Sequence, residues 1–69
     1  MKPTLRLDPA LLRTARLEQA LSQRALGLKA NLRAATISDI ENGTPARVGT
    51  IKALADALGV KPTDIARLG

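Results

Sequence analysis

Leu21-Ser22-Gln23-Arg24-Ala25-Leu26-Gly27-Leu28-Lys29-Ala30-Asn31-Leu32-Arg33-Ala34-Ala35-Thr36-Ile37-Ser38-Asp39-Ile40-Glu41-Asn42-Gly43 reads as two short helices joined by a tight turn. Ser22 opens the first, its hydroxyl placed to accept from amides that have no helical partner. Leu26 and Ala30 then face inward at i, i+4. Asn31 stops that helix, because it tolerates positive φ better than most non-glycine residues. Leu32 turns inward from the corner. The next helix spans 34–42, with Ile37 and Ile40 on its inner face and Ala34 and Glu41 on the same flank; Gly43 ends it. Ala25, Gly27 and Ala30 are small enough to let the two helices approach closely.

The chain on either side continues in the same style. Asp8-Pro9 supplies an N-cap acceptor followed by proline at the first helical position. Leu12, Ala15 and Gln19 then mark a helical stripe, so a helix is predicted near 9–20. Thr44-Pro45-Ala46-Arg47 reads as a loop. Ile51, Leu54, Ala55 and Leu58 follow at i, i+3, i+4, i+7, an amphipathic helix near 48–58 closed by Gly59. Pro62 starts a last short helix near 62–67. No stretch shows sustained period-2 alternation, and only six residues are apolar and β-branched. The prediction is an all-α fold of five helices, near 9–20, 23–30, 34–42, 48–58 and 62–67. Residues 1–7 are expected to form a flexible N-terminal arm on one domain spanning 8–69. Helices this short are not stable alone and must share one core.

Composition narrows the chemistry. The 69 residues contain no His, Cys, Phe, Tyr or Trp. That excludes an imidazole base, a thiol nucleophile, a disulfide and a thiolate zinc site. It also removes the aromatic platform on which single-stranded bases stack. Asp39 and Glu41 lie two apart and point to different sides of a helix, so they make no acid/base pair. There is no Gly-rich phosphate loop. No enzymatic activity, cofactor or metal is expected. No apolar run approaches the ~20 residues of a membrane span, and a cytoplasmic location follows as the expectation.

Charge gives the positive clue. Eleven Lys and Arg stand against six Asp and Glu, a net of +5. The excess lies in residues 1–33, where seven cations meet only Asp8 and Glu18. Residues 34–69 sum to zero. A basic half on a neutral half suits a polyanionic partner.

Two helices joined by a three- or four-residue turn define a helix-turn-helix, whose second helix enters the major groove of DNA by its N-terminal end. The segment resembles the Cro/C1-type family of phage-repressor-like domains, also called the xenobiotic-response-element type. The likeness lies in Ser22-Gln23, Leu26, Ala30, Leu32 and Thr36-Ile37-Ser38-Asp39-Ile40-Glu41-Asn42-Gly43. It continues through Thr50–Val60 and Pro62, covering residues 12–65 without a gap. The resemblance implies a compact five-helix lambda-repressor-like domain that binds double-stranded DNA.

Roles follow by position. The resemblance places Arg33, Ala34, Ala35, Ser38 and Asp39 toward base edges. It places Gln23, at the head of the second helix, and Asn42 and Arg47, past the foot of the third, against phosphates. Ser22 and Arg24, on either side of Gln23, are expected to join it there, although Arg24 could equally be solvated surface. Arg16 and Glu41 match an inter-helix ion pair that stabilises the fold. Four positions depart from the pattern: Gly27 replaces Ala, Asn31 replaces Gly, Arg33 replaces a Ser or Thr cap, and Gly49 weakens the start of the fourth helix. On the reading face, Ala34 and Ala35 suit thymine methyls, Asp39 could accept from cytosine N4, and Arg33 could pair with guanine. Asp39 could equally be solvated or bonded to a neighbouring arginine.

The expected function is a sequence-specific transcriptional regulator acting as a repressor, in a bacterial or phage-infected cell. It would act as a homodimer, formed in solution or only on DNA, with residues 62–68 as the dimer surface. Two alternatives remain open. One is the antitoxin of a toxin–antitoxin pair that also binds operator DNA. The other is a protein-interaction adaptor that kept the fold and lost its readers. Leu17 and Leu28, apolar where polar residues are expected, could be partial core or a contact for a protein partner such as a toxin or polymerase, and Leu5 and Leu7 in the arm raise the same question.

Overall fold

The computed structural model describes residues 4–69. The elements, in chain order, are β1 (Leu5–Leu7), α1 (Pro9–Glu18), α2 (Gln23–Ala30), α3 (Ala34–Glu41), α4 (Val48–Leu58), α5 (Pro62–Ile65) and β2 (Ala66–Leu68). All five predicted helices are present, and side-chain caps start α1 and α2. Asp8 Oδ1 accepts from the amides of Ala10 and Leu11 at the head of α1. Ser22 Oγ accepts from the Ala25 amide at 2.9 Å. Asn31 closes α2 at φ 58°, and Gly59 closes α4 at φ 69°.

α1 ends at Glu18, two residues earlier than the pattern suggests, because Ala20 turns to φ 54° and breaks the ladder. Gln19 leaves the helical stripe and reaches across to α4. There its Nε2 donates to the Leu58 carbonyl at 2.6 Å, satisfying an acceptor at the helix end.

Among the described residues the buried apolar side chains come from every helix: Leu12, Leu26, Ile37, Ile40, Ile51, Leu54, Ala55, Leu58 and Ile65, with Ala66 just beyond α5. They form one cluster. The radius of gyration is 10.9 Å, against ~11 Å for one compact domain of this length. Gly27 carries the approach of α2 to the corner before α3. A Cβ there would stand 2.5 Å from the Leu32 carbonyl oxygen. The departure from Ala thus tightens the contact at the cost of helix propensity.

The termini differ from the sequence expectation. The helix predicted to 67 stops at Ile65, where Ala66 extends to φ −144° and starts β2. β2 pairs antiparallel with β1, in the register Leu5↔Leu68, Arg6↔Arg67 and Leu7↔Ala66. Residues 5–7 of the expected flexible arm are therefore a strand, and Thr4 exchanges backbone hydrogen bonds with Gly69. The domain takes in residues before 8 as well. The remainder of that arm, Met1–Pro3, lies outside the described residues. The cause is a three-residue alternation in which Leu5 and Leu7 pack against the core while Arg6 faces water. Arg67 Nε donates to Asp8 Oδ2 at 2.9 Å, tying β2 to the head of α1.

Candidate nucleic-acid interface

α3 is anchored by Ile37 and Ile40, whose burial fixes which side of the helix faces out. Arg33, Ala35 and Asp39 are exposed, and Ala34 and Ser38 are half-buried. The leading tip of the helix is open to solvent. Arg33 holds the N-cap position in an extended conformation and makes no side-chain cap bond. Its guanidinium is left for other partners, and no side-chain acceptor occupies the first amides of the helix.

The head of α2 is built differently. Ser22 uses Oγ as an acceptor for the Ala25 amide, which leaves the hydroxyl proton free to donate outward. Arg24 is exposed. Gln23, the first residue of the helix, is half-buried because it meets a network centred on Arg16.

Arg16 extends from α1 and is itself a buried residue. Its Nε donates to Glu41 Oε2 at 2.7 Å and its Nη2 to Glu41 Oε1 at 2.9 Å, a two-pronged pair. Its Nη1 donates to the Leu21 carbonyl at 2.8 Å. Glu41 Oε1 also accepts from Gln23 Nε2 at 3.3 Å. One guanidinium thus ties α1, the residue ahead of the α2 cap and the last residue of α3. The pair's side chains are only 10% and 5% exposed. Burial pushes the Glu41 carboxyl upward, but the Arg16 and Gln23 hydrogen bonds and the charges of Arg16 and Arg13 outweigh it. The net shift is below the ordinary value of 4.5. The Glu41 hydrogen bond raises Arg16 in return.

Past the foot of α3, Asn42 is exposed, Gly43 takes φ 108°, and the Thr44 amide donates back to the Asp39 carbonyl at 2.9 Å. This closes the turn and launches the loop to Arg47, the exposed N-cap of α4, which makes no side-chain cap bond. Among the described residues the ion pairs are Arg16–Glu41 and Arg67–Asp8. Arg13, Arg24, Arg33 and Arg47 therefore have no carboxylate at ion-pair distance.

The structure brings Arg16, Gln23 and Glu41 together, and presents Arg24, Arg33, Ala35, Asp39, Asn42 and Arg47 singly to solvent. Arg13, three residues before Arg16 on α1, adds its charge to the field at Glu41 without pairing with it. Leu17 and Leu28 are 55% and 77% exposed, which removes them from the core. Leu5 and Leu7 pack against it.

No group of three or more metal-ligating side chains converges among the described residues. No described helix is long and apolar enough to cross a membrane.

None of the curated proteins and none of the solved structures matches the chain. A family model described as helix-turn-helix does match, over residues 12–65, from the first buried leucine of α1 to the last residue of α5. The chain belongs to the Cro/C1-type helix-turn-helix family of DNA-binding domains.

Proposed function

We propose that this chain is a sequence-specific transcriptional regulator that represses by occupying operator DNA. The observation that carries the reading is the open tip of α3: Arg33, Ala35 and Asp39 face solvent while Ile37 and Ile40 hold the helix to the core. In this reading the tip enters the major groove, where Arg33 pairs with guanine, Asp39 accepts from cytosine N4, and Ala34 and Ala35 meet thymine methyls. Ser38 lies beside them. Ser22, Gln23 and Arg24 grip phosphate from the head of α2, and Asn42 and Arg47 grip it beyond α3. Two strong base contacts at most make direct readout modest, so DNA deformability supplies part of the specificity. Two copies act on two half-sites about one helical turn apart, in the cytoplasm of a bacterial or phage-infected cell.

Titrating duplex DNA against salt tests the reading. A dimer with a few phosphate contacts per subunit gives a log–log slope of about −4 to −6. A flat response, or no binding at low salt, would replace the regulator with a protein-interaction adaptor. Arg47→Ala weakens all duplexes alike, whereas Arg33→Ala also relaxes sequence preference. If both bind every duplex as the parent does, the assigned roles are wrong. The exposure of Leu28 favours a second reading, an antitoxin whose α2 also meets a toxin. Co-expression with the product of an adjoining gene checks it, with Leu28→Ser expected to abolish the complex and spare duplex binding.

A further inference from the structure

We infer that Glu41 is a positioning residue for DNA binding, which orients the Gln23 side-chain amide so that a fixed N–H faces a phosphate. The inference depends on the reading that Gln23 grips the DNA backbone. The two ends of a primary amide have nearly the same shape, and only their surroundings decide which way each points. Here the surroundings are a carboxylate. Glu41 Oε1 stands 3.3 Å from Gln23 Nε2, and an ionised carboxylate only accepts. The amide oxygen is excluded from that position, so the NH2 group occupies it. One of its hydrogens turns to Glu41, and the second remains to donate outward.

Glu41 can impose this orientation because it is itself immobilised. Both of its oxygens are held by Arg16, at 2.7 and 2.9 Å. The third nitrogen of that guanidinium holds the Leu21 carbonyl at 2.8 Å, one residue ahead of the α2 cap. The carboxylate is thus registered against the start of the helix that carries Gln23. Its low proton affinity keeps it ionised and accepting at neutral pH. A residue at the end of the reading helix thereby sets the grip of the preceding helix without touching DNA.

The experiment uses a duplex selected from a random pool, prepared as a series with one neutral methylphosphonate at each backbone position in turn. The parent protein shows a position where neutralisation weakens binding, and Gln23→Ala no longer responds there. Glu41→Gln is expected to lose sensitivity at that same phosphate. It should weaken binding to the unmodified duplex by about tenfold, but by less than about twofold in the Gln23→Ala background. A residue that merely supports the fold behaves otherwise. Glu41→Gln would then weaken both backgrounds equally and keep the response at that phosphate, and the inference would fall.

Circular dichroism establishes that each variant is folded. If Glu41→Gln does not fold, Glu41→Asp makes the same comparison, keeping the charge toward Arg16 but drawing it back by one methylene. If Gln23→Ala leaves the methylphosphonate profile unchanged, the inference is overturned while DNA binding stands. If the parent binds no duplex at low salt, the proposed function fails first and takes this inference with it.

Discussion

Ala20 holds φ 54° between α1 and α2, a conformation that costs an L-residue about 1–2 kcal/mol and glycine almost nothing. Glycine's greater freedom in the unfolded chain offsets part of the relief. Ala20→Gly should therefore raise stability by about 0.5–1 kcal/mol in urea unfolding, and an unchanged or lower midpoint would contradict the strain. Glu41 gives a pH signature. Its carboxyl titrates below the ordinary value of 4.5 in the folded protein, so the unfolded chain binds more protons in the window beneath that value. Its stabilisation is present in full above the unfolded value and is lost as pH falls through the lowered one. Thermal unfolding scans across that range should show the loss, and Glu41→Gln should flatten it. Asp8 is lowered as well, by its Arg67 hydrogen bond and the amides of Leu11 and Ala10. Asp8→Asn separates the two contributions. The positions of Arg16 and Glu41 were readable because a motif carries them. The bonds to Leu21 and Gln23 were not, because they depend on where three helices meet.

Helix α3 begins without a side-chain cap, since Arg33 occupies the place where Ser, Thr, Asp or Asn would accept from the first amides. Arg33→Ser should stabilise the protein by about 1 kcal/mol while weakening duplex binding, a trade measurable by thermal unfolding and by titration on one preparation. If binding survives intact, Arg33 has no part in the grip. The β1–β2 pair was the element least legible in the sequence. Leu5-Arg6-Leu7 offers only three alternating residues, and Ala66-Arg67-Leu68 continues a helical pattern. What selects the strands is tertiary: Leu7 and Ala66 both have core to cover, and the Asp8 amide finds the Ile65 carbonyl at 2.9 Å. Hydrogen exchange tests the pairing. Thr4–Gly69 and Asp8–Ile65 are joined by hydrogen bonds, so alternation makes Arg6 and Arg67 the bonded pair between them. Their amides should exchange more slowly than those of Leu5 and Leu68. Equal and rapid exchange would restore the flexible arm.

At the scale of the molecule, helix count, helix order and the core were legible because each helix carries its own punctuation and its own apolar stripe. Ile51, Leu54, Ala55 and Leu58 are buried as their spacing requires. The exposed face of α3 was legible only as the residues left over when Ile37 and Ile40 turn inward. Its electrostatic character was less so, because pairing decides which cations remain free. The charge of Arg16 is spent on Glu41, whereas Arg24, Arg33 and Arg47 keep theirs. The meeting of Thr4 with Gly69 has a topological consequence. The Gly69 amide donates to the Thr4 carbonyl at 2.8 Å, so the backbone is already almost a ring. Splicing those two residues through a few glycines and cutting instead within Thr44–Ala46 should yield a circular permutant with the same helices. The same splice left uncut should give a head-to-tail ring whose melting point, read by thermal unfolding, exceeds the parent's, since a closed ribbon leaves the denatured polymer fewer arrangements to explore.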